Sequence, residues 1–283
     1  MQRALRWAGY GLLGLLVPIA VGYAAVHVKS SRGLARTYAA KPVPIAVPSD
    51  PASIEEGRRL ATVFECYGGC HGLSAEGMVM FDQPLIGTIV APDLTHAVRA
   101  YTDAQLEAVI RQGLRPDGTA VFVMPSEAFR AISDADLGRI IAFLRSLPEA
   151  HGAAPAIRLG PLGRLGMALG KFRTEGEIIP TSAFPSAPAD AALLKARDLA
   201  IPACGHCHGP DLKGRSNPEF TSPDLAVAKA YTLEQFRDLL RTGRPLGGRV
   251  LPTMGPAAQR NLSHLTDGEV ASLHAYFQDA YGR

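Results

Sequence analysis

The stretch Cys204-Gly205-His206-Cys207-His208 constrains this chain more than any other. C-x-x-C-H is the spacing of covalent c-type haem attachment. Two thiols three residues apart can each add to a vinyl group, and the histidine that follows stands against one face of the iron. A redox C-x-x-C would need a βαβ context, and a four-ligand zinc site would need further Cys or His at close spacing. Neither accompanies this pentad. A less regular copy lies upstream, Cys66-Tyr67-Gly68-Gly69-Cys70-His71, with one more residue between the thiols. Gly68 and Gly69 can adopt the backbone angles that absorb it. The chain has 4 cysteines, so two covalently bound haem c groups use every thiol.

The 283 residues suffice for two domains of ordinary size. A net charge of +3 with 19% charged residues gives no polyelectrolyte face, which excludes a nucleic-acid partner.

Near the N-terminus, Trp7 to Val28 carries no formal charge, flanked by Arg3 and Arg6 on one side and by Lys29, Arg32 and Arg36 on the other. A bilayer span needs about 20 apolar residues, whereas the apolar core of a cleaved signal peptide has about 7–15. Trp7, Tyr10 and Tyr23 fall where interfacial aromatics are expected. We therefore expect an uncleaved single-pass anchor over 1–30. Haem attachment outside the cytoplasm puts the rest of the chain in the periplasm, against the inner membrane.

An internal repeat sets the architecture. Tyr101, Thr102, Gln105, Arg111 and Gly113 return as Tyr231, Thr232, Gln235, Arg241 and Gly243, and Met124 returns as Met254, all at one offset. Pro92-Asp93-Leu94 returns as Pro223-Asp224-Leu225. Each copy is expected to hold a capped amphipathic helix and a closing helix, the latter opened by Ser133 or Thr266. The expected order is a proline-rich spacer over 31–50, a first domain over 51–150, an apolar connector over 151–189 and a second domain over 190–283. Ser53-Ile-Glu-Glu56 reads as a capping box opening the first helix of the first domain. The stretch from His71 to Pro92 reads as loop. Leu159 to Phe172 is too apolar for a free linker and should pack between or across the domains. The sharper alternative for it is contact with the membrane through Leu162, Leu165, Leu169 and Phe172.

His71 and His208 each supply one iron ligand, and the sixth position decides the chemistry. Met124, before Pro125, and Met254, between Pro252 and Pro256, both read as helix-excluding loops and are the expected thioether ligands. Met78, Met80 and His96 are the rivals at the first haem, and His264 and His274 at the second. Core methionines filling gaps are the plainer alternative.

At these residues the chain resembles class I cytochrome c, over about 51–150 and 190–283. Thr88-Ile89-Val90-Ala91-Pro92-Asp93-Leu94-Thr95 and Met124-Pro125-Ser126-Glu127-Ala128-Phe129 are similar to cytochrome subunits of periplasmic alcohol and aldehyde dehydrogenases. Many of those carry three haem motifs, whereas this chain has two. The resemblance implies a mostly α protein, two tandem class I domains behind a transmembrane helix. It also implies that a proline carbonyl orients each axial histidine: Pro84 for His71, and Pro218 or Pro223 for His208. The expected function is electron transfer from a periplasmic donor, such as a dehydrogenase, to a respiratory acceptor, with no catalytic residue of its own. A dihaem enzyme, such as a peroxidase or thiosulfate-oxidising cytochrome, is the alternative.

Overall fold

The protein is described by a computed structural model covering residues 2–150, 156–216, 220–249 and 251–282. The expected boundary at 150/151 and the alternative carbonyl of Pro218 touch residues outside these. The described chain is mostly helical.

α1 runs from Gln2 to Leu34. At 1.5 Å per residue it is about 50 Å long, more than a bilayer core requires. Its most apolar window is entirely unburied by the rest of the chain. Pro18 lies inside it without ending it. The residues that follow do not form a free spacer. Tyr38 N–H donates to Gly118 O, and Lys41 and Val43 N–H donate to the side chains of Gln112 and Glu107. Ile45 is buried, so the proline-rich segment is laid along the first helical unit as an extended strap.

α2 (Pro51–Val63) is capped by Asp50, whose carboxylate accepts from Ser53 N–H. The expected cap at Ser53 is thus three residues late, because Pro51 at the first helical position already fits the start of a helix. The stretch expected as loop holds a hairpin, β1 (Met78–Gln83) against β2 (Gly87–Ala91), with a bulge between Val79 and Phe81. α3 (Leu94–Ala100) follows. α4 (Asp103–Gln112) has the Thr102/Gln105 capping box and ends at Gly113 in the left-handed region, φ 65°. Short α5 (Ser126–Phe129) and long α6 (Asp134–Ser146) complete the unit, α6 opened by Ser133. α6 crosses α2 so closely that a Cβ on Gly57 would lie 1.9 Å from Arg139 O.

β3 (Arg158–Leu159) then adds to the edge of β2, and α7 (Pro161–Ala168) packs on the end of α1. Residues 158–168 of the connector therefore lie on the first unit and the foot of α1, while Pro185 O, further along, accepts from Arg197 of the second unit. α8 (Glu175–Ile178) leads to α9 (Ala191–His208), which ends in the second attachment motif. A two-residue ladder, β4 (Arg215–Ser216) with β5 (Thr221–Ser222), precedes a 3-10 turn over Leu225–Ala230. α10 (Leu233–Thr242) repeats the α4 signals with Thr232, Gln235 and Gly243 at φ 74°. α11 (Met254–Arg260) and α12 (Asp267–Asp279) follow, α12 packing on α9.

The two units share a built interface. Arg59 of α2 makes two 2.8 Å bonds to the Glu269 carboxylate and donates to His264 O. Asn261 Nδ2 donates to Thr62 O, and α5 packs on α9.

Candidate haem-attachment sites

The two histidines sit in matching loops. Gly77 N–H donates to His71 O and Gly214 N–H to His208 O, each at 2.8 Å. Leu94 N–H donates to Ala75 O and Leu225 N–H to Leu212 O, each at 2.9 Å. Ala75 and Leu212 have φ of 65° and 62°, and Gly77 and Gly214 have 81° and 93°. A Cβ at either of these glycines would meet the backbone around Pro92 or Pro223, so each loop closes onto its proline.

That closure decides the orientation of each imidazole. His71 Nδ1 lies 2.8 Å from Pro92 O, and His208 Nδ1 lies 2.8 Å from Pro223 O. Pro92 takes the part expected of Pro84, which belongs to the hairpin turn on the other side of β2. A carbonyl only accepts, so in each ring Nδ1 carries the proton and Nε2 keeps its lone pair. Burial lowers the pKa of both imidazoles, against the carbonyl bond that raises it, which favours the neutral, metal-ligating form.

Around His71 lies a cavity of about 1010 Å³, bordered by Cys66, Cys70 and Met124 and walled by apolar residues including Phe64, Val98 and Phe129. Burial pushes the Cys66 and Cys204 thiols up to about 12, as expected for inert apolar surroundings rather than a reactive thiolate. A ring-sized apolar cavity bordered by two thiols and a fixed Nε2 lone pair suits a covalent haem. The 204–208 donor set has the same chemistry at the end of α9, and Met254 is partly buried against the hydrophobic core.

The extra residue in the first motif interrupts the helix. Glu65 at φ 62° and Gly68 at φ 70° turn the chain between Val63 and Cys70, whereas α9 continues through Cys204 and Cys207. Met124 sits in a bend before Pro125, as its sequence context predicts. Met254 does not lie in a helix-free loop: it is the first residue of α11, where Gly255 and Pro256 fall in the first turn and so need no earlier partner. Among the rivals, Met80 (from β1) and His96 both border the first cavity and both are exposed, His96 lying 3.6 Å from Glu149, while Met78 is exposed and does not border it. His264 is exposed, and His274 Nε2 is 2.8 Å from Tyr231 O.

Two polar clusters escaped sequence reasoning. His206, inside the second motif, borders the first cavity and lies 3.3 Å from Glu65 Oε2. A Cβ on Gly205 would approach Ala128 Cβ at 3.0 Å, so the second motif packs on the helix following Met124. Beside it, buried Glu127 pairs with Arg215 at 2.6 Å, and its N–H donates to Glu175 Oε2 at 2.9 Å. Burial, and then the Glu127 charge, drive the Glu175 carboxyl well above the ordinary range. Local periodicity cannot find such partners, since they come from three distant segments.

Residues 54–148 match the cytochrome c family. The chain is 26% identical over 270 residues to the cytochrome c subunit of a quinone alcohol dehydrogenase of Gluconacetobacter polyoxogenes, covering 81% of this chain and 56% of that one. It is 21% identical over 254 residues to a fructose dehydrogenase cytochrome subunit of Gluconobacter japonicus, covering 80% and 52%. It is also 25% identical over 242 residues to the cytochrome c subunit of a quinone alcohol dehydrogenase of Gluconobacter oxydans, covering 80% and 47%. The chain spans about half the length of these alcohol and fructose dehydrogenase subunits. It therefore contains a cytochrome c domain over 54–148 and is homologous to cytochrome subunits of quinone alcohol and fructose dehydrogenases.

Proposed function

We propose that the chain is a membrane-anchored dihaem cytochrome c that carries electrons between a periplasmic donor, such as a dehydrogenase, and a respiratory acceptor. The observation that carries this reading is the repeated histidine geometry: His71 on Pro92 and His208 on Pro223, each at 2.8 Å in equivalent loops. Bound haem supplies a reversible one-electron couple; the protein supplies ligation, burial and orientation.

In this reading Cys66, Cys70, Cys204 and Cys207 form the thioethers. His71 and Met124 ligate one iron, and His208 and Met254 the other. Pro92 and Pro223 fix the histidine tautomers, which raises ligand basicity. The apolar walls exclude water, so a change of charge is felt strongly within them. The two tandem domains, 51–150 and 190–283, bring their attachment motifs to one interface through His206, Glu65, Gly205 and Ala128. α1 would anchor this assembly in the inner membrane with both domains in the periplasm. The relatives' printed names support a place beside a dehydrogenase.

Mass spectrometry of the denatured, acid-acetone-extracted protein tests the haem count. Two covalent haem additions are expected. A single addition, located on Cys204 and Cys207, would reject the upstream site.

A further inference from the structure

Ala156 and Ile157 line the first cavity, and the residues that follow them, 158–173, are folded onto the foot of α1. β3 extends the hairpin, and Gly160 and Leu162 N–H donate to Ile86 and Leu85 O. Arg164 Nη1 lies 3.1 Å from Ser30 Oγ and 3.0 Å from Ser31 Oγ. Met167 packs near Gly33, and a Cβ on Gly163 would lie 2.0 Å from Ile86 O. The inner face of α7 is thus closed against α1 and the hairpin. Its outer face carries Leu162, Leu165 and Leu169, at 51%, 38% and 66% exposure, beside the hairpin-tip Leu85 at 62%. Spacing of three and four residues puts the three leucines on one side of the helix.

Two further observations say what covers this face. The uncharged run of α1 ends at Val28, and α7 meets α1 at Ser30, Ser31 and Gly33. That is about 3–8 Å further along the helix, within the headgroup layer that flanks a hydrocarbon core of about 30 Å. The charges of the two adjoining segments are also of one sign, the hairpin adding one acid, Asp82, which accepts from Thr88 Oγ1. Residues 156–173 contain Arg158, Arg164, Lys171 and Arg173 with no acid, and residues 29–41 contain Lys29, Arg32, Arg36 and Lys41 with no acid. Apolar tips within a ring of cations match a phospholipid surface.

We propose that α7 and the β1–β2 hairpin tip lie in the headgroup layer of the membrane entered by α1, seating the first domain flat on the lipid. Leu85, Leu162, Leu165 and Leu169 reach the acyl boundary, and the surrounding Arg and Lys side chains meet lipid phosphates. The proposal rests on α1 spanning that membrane. The strap over 38–46 and the Arg164 contacts then fix the height and tilt of the first haem pocket above the bilayer.

The test is photocrosslinking in full-length, haem-loaded protein in nanodiscs of phosphatidylethanolamine and phosphatidylglycerol. p-Benzoyl-phenylalanine is substituted singly at Leu13 in the span, Leu169 on α7 or Val227 on the second unit, each variant retaining the parent haem spectrum. On the order of tenfold more lipid adduct is expected at Leu169 than at Val227, with Leu13 also labelled. Adding Leu162→Asp and Leu165→Asp should bring the Leu169 adduct down to the Val227 level and leave that at Leu13 unchanged. Lipid adduct at Leu13 without any at Leu169 overturns the proposal and leaves the span intact. Adduct to a polypeptide at Leu169 makes this face a protein-docking surface and overturns it too. Absence of lipid adduct at Leu13 rejects the span itself, and this proposal with it.

Discussion

His206 Nδ1 lies 3.3 Å from Glu65 Oε2, so the residue between the thiols of one attachment motif is held by the residue just before the other motif. Burial alone would raise the Glu65 carboxyl, but the His206 hydrogen bond and charge outweigh it and hold it below its ordinary value. Burial pulls His206 down, while bonds to Cys70 and Glu65 lift it to about 10. A thioether at Cys70 would bear no charge and would leave Glu65 as the partner that keeps this pair together. The two attachment motifs are therefore neighbours by construction.

Met124 and Met254 are expected to act on separate irons. Met124→Ala should lower one potential and open one haem to carbon monoxide, and Met254→Ala should do the same to the other. The shift should be a fraction of the roughly 0.8 V over which axial ligands set haem potentials. A redox titration of both variants beside the parent checks this. Unchanged potentials in Met124→Ala, with no new carbon monoxide binding, would make Met124 a packing residue and bring His96 and Met80 forward.

The close crossing of α2 and α6 leaves no room at Gly57. Gly57→Ala should cost more than the roughly 1–3 kcal/mol of ordinary overpacking, since the clash is with backbone that cannot swing aside. Thermal denaturation followed in the haem band should show the first unit melting early. A melting temperature equal to the parent's would refute the crossing.

Arg59 ties α2 to the second unit through Glu269 while also holding Glu56. Arg59→Ala leaves two carboxylates close together without their cation. The side chains of the Arg59–Glu269 pair retain 17% and 23% exposure. For such a part-buried pair the cost lies between the roughly 0.2–1 kcal/mol of an exposed pair and the roughly 3–5 kcal/mol of a buried one. Limited proteolysis should reveal separation of the two units.

Glu175 supplies a pH dependence with a definite sign. Its carboxyl titrates well above 4.5 when folded, because it is buried and faces Glu127. From about the ordinary carboxylate pKa upward the folded state therefore holds a proton that the unfolded chain has lost, so stability falls as pH rises through neutrality. Glu175→Gln should flatten that decline and leave the variant the more stable at alkaline pH. Melting curves from pH 5 to 9 decide it, and parallel curves for parent and variant would show that Glu175 does not hold that proton.

The local signals are carried by residues close together in the chain. The Thr102/Gln105 and Thr232/Gln235 capping boxes, the left-handed glycines Gly113 and Gly243, the spacing of the attachment motifs and the 22-residue uncharged run each concern neighbours within a turn or a single span. Short-range chemistry made them legible in the sequence. The tertiary structure alone decided what lies across space. It assigned Pro92 instead of Pro84 to His71, because closure of the Gly77 loop chooses which carbonyl reaches the ring. It laid the proline-rich strap on the first unit, because Gln112 and Glu107 offer oxygens that satisfy its otherwise free N–H groups. It started a helix at Met254, because Gly255 and Pro256 are tolerated in a first turn. And it joined Glu65 to His206 and Glu127 to Glu175 and Arg215, because buried charges must find partners wherever the fold brings them, at separations no local pattern records.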